Sequence, residues 1–170
     1  MSLPLDLLEQ AYHLAFREKK RPKQASLRRS VSTAYYALFH HLVAEALQLI
    51  APNVGDGSRY IMQRWFNHDE MRRACGIFSA SSLTGPVAAL MGTAPSADLQ
   101  LIARAFVQLQ GSRHSADYDL ASNWTRLKSQ QHVQIARDAF AAWGRVRKSA
   151  EANIFALGLL DLKRLQTERK

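Results

Sequence analysis

The stretch from Leu27 to Ile50, LRRSVSTAYYALFHHLVAEALQLI, constrains the fold most. It holds no Gly and no Pro. Leu27, Val31, Ala34, Tyr35, Leu38, Leu42 and Leu49 recur at three- and four-residue steps, which puts them on one face of an α-helix. Tyr36, Phe39, Val43, Leu47 and Ile50 repeat that spacing on a neighbouring face. Ser32, His40, His41, Glu45 and Gln48 form a narrow polar remainder. A helix apolar over so much of its circumference is buried on more than one side. It is expected to be the central helix, or one shared between a core and a subunit interface.

The flanking segments also read as helices. Leu3 to about Lys20 has Leu5, Leu8, Tyr12, Ala15 and Phe16 on one face, with Pro4 in the first turn. The cluster Arg17-Glu18-Lys19-Lys20-Arg21 before Pro22 ends it, as a solvated helix end or a phosphate contact. Between 52 and 95 lie five of the eight glycines and three of the five prolines. That density implies short helices near 59–66 and 69–78, joined by irregular loops. The Ser79–Gly92 segment is expected to be loose. Trp65 is expected to pack inward, with stacking of Arg64, Trp65 and His68 on a base as the alternative.

Ser96 reads as an N-cap with Asp98 in the first turn. The helix it starts carries Leu99, Ile102, Ala103, Phe106 and Leu109 on one face. Four-residue steps continue that face to Arg113 and then Asp117. A cation on an apolar stripe points inward and needs a partner, which Asp117 or the Tyr118 hydroxyl supplies. Gly111 allows a bend there. Thr125 to about Lys148 follows, with Leu127, Ile135, Ala139, Trp143 and Val146 as its core face, and then Glu151 to about Leu165. Thr167-Glu168-Arg169-Lys170 is expected to fray. No strand-like alternation or internal repeat is visible. The fold class is all-α: an antiparallel helical bundle with short extra helices in the 58–95 region. The chain reads as a single domain over 1–170, with a core at 3–148 and a C-terminal helix at 151–165.

Composition narrows the function. With 47% hydrophobic and 22% charged residues, the chain is globular. No apolar run approaches the roughly 18 residues that span a bilayer, and the N-terminus lacks signal-peptide features. The single cysteine, Cys75, lies in an apolar stretch and reads as a buried structural thiol. These features together suggest a cytoplasmic protein with no membrane partner. A net charge of +9, from 23 Lys and Arg against 14 Asp and Glu, favours a polyanion such as RNA as a partner. There is no phosphate-binding glycine loop, no HExxH and no cysteine pair for zinc, so no metal site and no cofactor are expected.

Two stretches carry a family resemblance. SVSTAYYALFH at 30–40, followed by RHSADYD at 113–119, resembles the HEPN superfamily of small helical bundles, in particular prokaryotic members with a SxAYYAxFH second helix and a later RxxADY. The likeness covers roughly residues 3–148. It implies a helical bundle that forms a homodimer and binds or acts on RNA or nucleotides. Many members are metal-independent endoribonucleases of toxin–antitoxin or defence systems, and a nucleotidyltransferase-type antitoxin partner is implied by the family alone. Their signature is an Arg followed after four to six residues by a His. The chemistry suits those residues, since His exchanges protons near neutral pH and Arg holds the phosphate.

This chain departs from that signature. Positions 118–120 are Tyr118, Asp119 and Leu120, and the His near Arg113 is His114, directly after it. Adjacent helical residues point about 100° apart. If the chain cuts RNA, Arg113 and His114 are the catalytic candidates. Asp117, Tyr118, Tyr36 and His40 are then substrate-binding residues or a structural clamp. Arg126 and His132 match the spacing literally, a match expected by chance in a chain with this many arginines, and His132 reads as a partly buried, satisfied histidine. The second reading is a non-catalytic binding or dimerisation module that has lost the catalytic spacing.

Overall fold

A computed structural model describes residues 2–167; the end of the chain expected to fray lies, beyond Thr167, outside the described residues. The fold is an all-α helical bundle. Among the described residues there are eight helices and no strand: α1 Leu3–Phe16, α2 Gln24–Ile50, α3 Asp56–Gln63, α4 His68–Phe78, α5 Gly85–Met91, α6 Ala97–Tyr118, α7 Arg126–Val146 and α8 Ala150–Gln166. The contacts divide into two compact units, Met1–His41 with Ala105–Phe140, and Leu42–Arg104 with Ala141–Lys170. Helices α2, α6 and α7 contribute residues to both.

In the first unit, α1 stops at Phe16, four residues before the expected end. The chain bends so that the Glu18 carboxylate meets the start of α2. It accepts from the Lys23 N–H at 3.2 Å and from the Ser26 hydroxyl at 2.8 Å. A carboxylate at a helix N-terminus satisfies donors and complements the dipole. Helix α2 accordingly begins three residues earlier than its periodicity shows. Leu27, Val31, Ala34, Tyr35 and Leu38 are fully buried. Burying each large side chain contributes roughly 1.5–3 kcal/mol. The Ser30 hydroxyl donates to the Ala11 carbonyl at 2.7 Å, fastening α2 to α1. The apolar face of α1 is narrower than expected. Pro4, Leu8, Ala11 and Ala15 are buried, whereas Leu5, Tyr12 and Phe16 are exposed. Tyr12 instead packs on Phe16 and lies under the Arg137 guanidinium, 4.6 Å from the ring centre. Leu127, expected in the core, is exposed in the first turn of α7.

In the second unit, Phe78 of α4 meets Phe155 of α8 edge-on at 5.2 Å, and Trp143 lies 6.3 Å from the same ring. The Trp143 indole donates to Glu45 at 2.7 Å, which satisfies the one polar atom of a buried side chain. Gly158 makes this packing possible, because a Cβ there would stand 3.1 Å from the Phe78 ring. Phe155, Leu159 and Leu162 form the buried face of α8, while Leu157 is exposed. The helix breaks its geometry once, at Asp161, where φ is −152° and ψ is 80°. The segment expected to be loose contains the short helix α5, which ends on Gly92 in the left-handed region, φ +67°. Trp65 is 58% exposed, against the expected inward packing, and Tyr60 and Ile61 are exposed with it. Cys75 is wholly buried, and burial pushes its thiol well above the usual range. No described helix is long and apolar enough to cross a membrane.

Candidate functional site

The first unit gathers the residues singled out in the sequence around Arg113. Helix α6 runs through Gly111 without a break. Arg113 and Asp117 therefore stand one turn apart and form an ion pair, Nε to Oδ2 at 3.2 Å. The alignment is poor for a hydrogen bond, so the pair is chiefly a charge contact. The stronger tether is long-range. Arg113 Nη2 donates to the Tyr36 hydroxyl on α2 at 2.9 Å. The sequence had offered the Tyr118 hydroxyl for that role. Tyr118 instead presents its ring, 5.9 Å from the guanidinium carbon, with Tyr36 and Tyr35 at 5.5 and 5.8 Å. Ring faces attract a cation through their quadrupoles. The Ser32 hydroxyl donates to Asp117 at 3.2 Å and fixes the carboxylate.

These contacts set the electrostatics. The charged form of Arg113 is favoured first by the Tyr36 hydroxyl bond, with the Asp117 charge adding and partial burial opposing. The Arg113 side chain remains 20% exposed. Tyr118 is 65% exposed, and His114 is exposed beside it with the two rings 5.1 Å apart. His40 stacks on Tyr36 at 6.4 Å, and burial holds its imidazole below the ordinary value. Tyr35 is fully buried, as its place on the core stripe requires.

Arg113, Asp117, Tyr118, Tyr36, His114 and His40 thus share one region of α2 and α6. No described hydrogen bond joins Arg113 to His114. Arg126 and His132 are not brought together as a pair. Arg126 donates to the Glu18 and Lys19 carbonyls, closing the turn between α1 and α2. His132 is partly buried and bonds to Lys128 and Ser112. Sequence reading missed Ser32, whose spacing on α2 gave no sign of Asp117 opposite. Among the described residues no group of three His, Cys, Asp or Glu side chains could hold a metal ion. The class established by the structure is therefore an all-α helical bundle with a cation–tyrosine cluster at its surface. No family model, curated protein or solved structure matches the chain.

Proposed function

We propose that this protein is a HEPN-like RNA-binding bundle that takes single-stranded RNA at the Arg113 cluster. One observation carries the reading. A guanidinium with remaining exposure is framed by the Tyr35, Tyr36 and Tyr118 rings; of these Tyr118 is open to solvent, as is the His114 ring beside it. A fixed cation suits a phosphate, and exposed rings suit a stacked base. The chain's net charge of +9 and the resemblance of residues 30–40 and 113–119 to HEPN motifs point the same way. The tethering of Arg113 to Tyr36 and Asp117 favours binding over cleavage. The second reading, metal-independent endoribonuclease action in a toxin–antitoxin or defence setting, is favoured by His114, whose exposed ring lies beside the same cluster. The homodimer and the nucleotidyltransferase-type partner belong to this proposal through the resemblance.

A labelled mixed-sequence RNA titrated at several salt concentrations tests the binding. Affinity is to fall with salt and to drop in Arg113→Ala that retains its fold. Incubation of the same RNA in EDTA separates the two readings. Cleavage lost in both Arg113→Ala and His114→Ala establishes the nuclease. Intact RNA with salt-dependent binding leaves the binding module, and no binding at low salt removes both.

A further inference from the structure

The first unit also holds a cleft of about 670 Å3 whose lining does not include Arg113. Gly111, Ser112 and Ser115 of α6 line it, with Trp124, Lys128 and His132. Within it, His132 Nδ1 lies 2.6 Å from the Lys128 carbonyl oxygen. A carbonyl only accepts, so Nδ1 carries the ring proton. The lone pair is then on Nε2, and Ser112 Oγ lies 2.8 Å from it. The serine hydroxyl therefore donates to the imidazole. Trp124 meets the same ring at 5.3 Å and 78°, which fixes its plane. Burial holds His132 below the ordinary histidine value, the Lys128 carbonyl bond opposes that shift, and the Lys128 charge adds to it. Burial favours the neutral ring, whose Nε2 lone pair faces the Ser112 hydroxyl.

A hydroxyl, an imidazole with its lone pair on that hydroxyl, and an acceptor holding the far nitrogen are the parts of an activated nucleophile. Ser112 and His132 both line this cleft and remain partly exposed, so the pair is accessible to a molecule bound there. The lining holds no carboxylate, so neutral or anionic molecules enter without repulsion.

We propose that Ser112 and His132 form a nucleophile–base dyad that hydrolyses small carboxylic esters in this cleft. Ser112 Oγ bonds to the acyl carbon as its proton passes to His132 Nε2. Nε2 returns that proton to the alcohol oxygen as the ester C–O bond breaks, leaving an acyl-serine. Water then attacks the acyl carbon and gives its proton to Nε2, which passes it to Ser112 Oγ as the carboxylic acid departs. Gln108, Asn123 and Lys128 line the same cleft and carry the N–H donors available there for the carbonyl oxygen. This activity is independent of the RNA reading.

The test pairs a fluorophosphonate probe, mapped by peptide mass, with hydrolysis of 4-nitrophenyl butyrate by the full chain. A single adduct on Ser112 is expected. Hydrolysis is to fall on the order of 100-fold in Ser112→Ala and in His132→Gln, and to persist in Ser82→Ala, an exposed serine of the second unit that does not line the cleft. An adduct scattered over several serines, no adduct on folded protein, or unchanged hydrolysis in Ser112→Ala overturns the dyad. Should Ser112→Ala fail to fold, Ser112→Cys keeps a nucleophile in place, and the butyryl group is to be trapped there as a thioester. Its absence from a folded Ser112→Cys protein overturns the proposal equally.

Discussion

Within the first unit, two regions use arginine in opposite ways. In the turn that follows α6, Arg28 spends its guanidinium on backbone. It donates to the carbonyls of Ala116, Asp119, Leu120 and Ser122 at 2.9, 3.0, 3.3 and 2.6 Å. Gln24 adds a reciprocal pair with Trp124, donating to its carbonyl at 2.8 Å and accepting from its N–H at 3.0 Å. A helix end leaves carbonyls without partners, and a planar fork with five donors can satisfy several at once. Around Arg113, which continues the apolar stripe of α6, the same fork meets a phenol, a carboxylate and three ring faces. The first arrangement consumes the cation in holding the chain; the second holds the cation itself. Net positive charge therefore overstates the surface offered to a polyanion, because Arg28 and Arg126 are occupied by carbonyls.

The comparison breaks if the two arginines respond alike to removal. Arg28→Ala should cost the most stability, about 3 kcal/mol for charged hydrogen bonds to the loop. In a chain of this size that lowers the thermal midpoint by roughly 10 °C. RNA affinity should follow only as far as the loss of fold carries it. Arg113→Ala should show the reverse balance, with a stability loss of about 1–2 kcal/mol and RNA binding weakened roughly tenfold or more in anisotropy titrations. Equal effects on melting and no effect on RNA would place Arg113 in the same class as Arg28.

Tyr118→Ala sharpens the contrast further. Its ring is mostly exposed, so the melt should move by no more than about 0.5 kcal/mol, while loss of base stacking should cost about 1–3 kcal/mol of binding. The smallest effect concerns pH. His40 and His132 both have folded values below the ordinary histidine value, chiefly through burial. The unfolded chain takes up those protons first. Stability present above about pH 6.5 is then lost as pH falls through the folded values, and levels off beneath them. Melting curves between pH 7.5 and 5 should show this slope, and His132→Gln should flatten it.

Much of this arrangement is legible in the sequence, and the misses have physical causes. The apolar periodicity of α2 marks most of its buried face, though Ser32 of the polar remainder is buried and Tyr36, Leu49 and Ile50 only partly so; its true start depends on Glu18 folding back from another segment. The ion pair of Arg113 with Asp117 follows from an i, i+4 step on one helix. The Tyr36 bond does not, because it joins positions 77 apart. Periodicity says which apolar residues share a face, without saying how much of that face a neighbour covers; hence Leu5, Tyr12, Phe16 and Leu127 are exposed. Helix α5 is concealed by its brevity and by the glycines at either end, Gly85 and Gly92, both at positive φ. The Ser112–His132 contact joins two helices twenty positions apart and leaves no local pattern.

The burial of Cys75 has a practical consequence. The native chain carries one thiol, and that thiol is sealed within the fold and biased toward its unreactive protonated form. Towards maleimides and iodoacetamides the folded protein behaves as if it were cysteine-free. A cysteine introduced at position 118 or 60 would then take a fluorophore or spin label alone, with no need to remove the native residue. The mobility and solvent exposure of that one position become measurable in the otherwise unaltered chain.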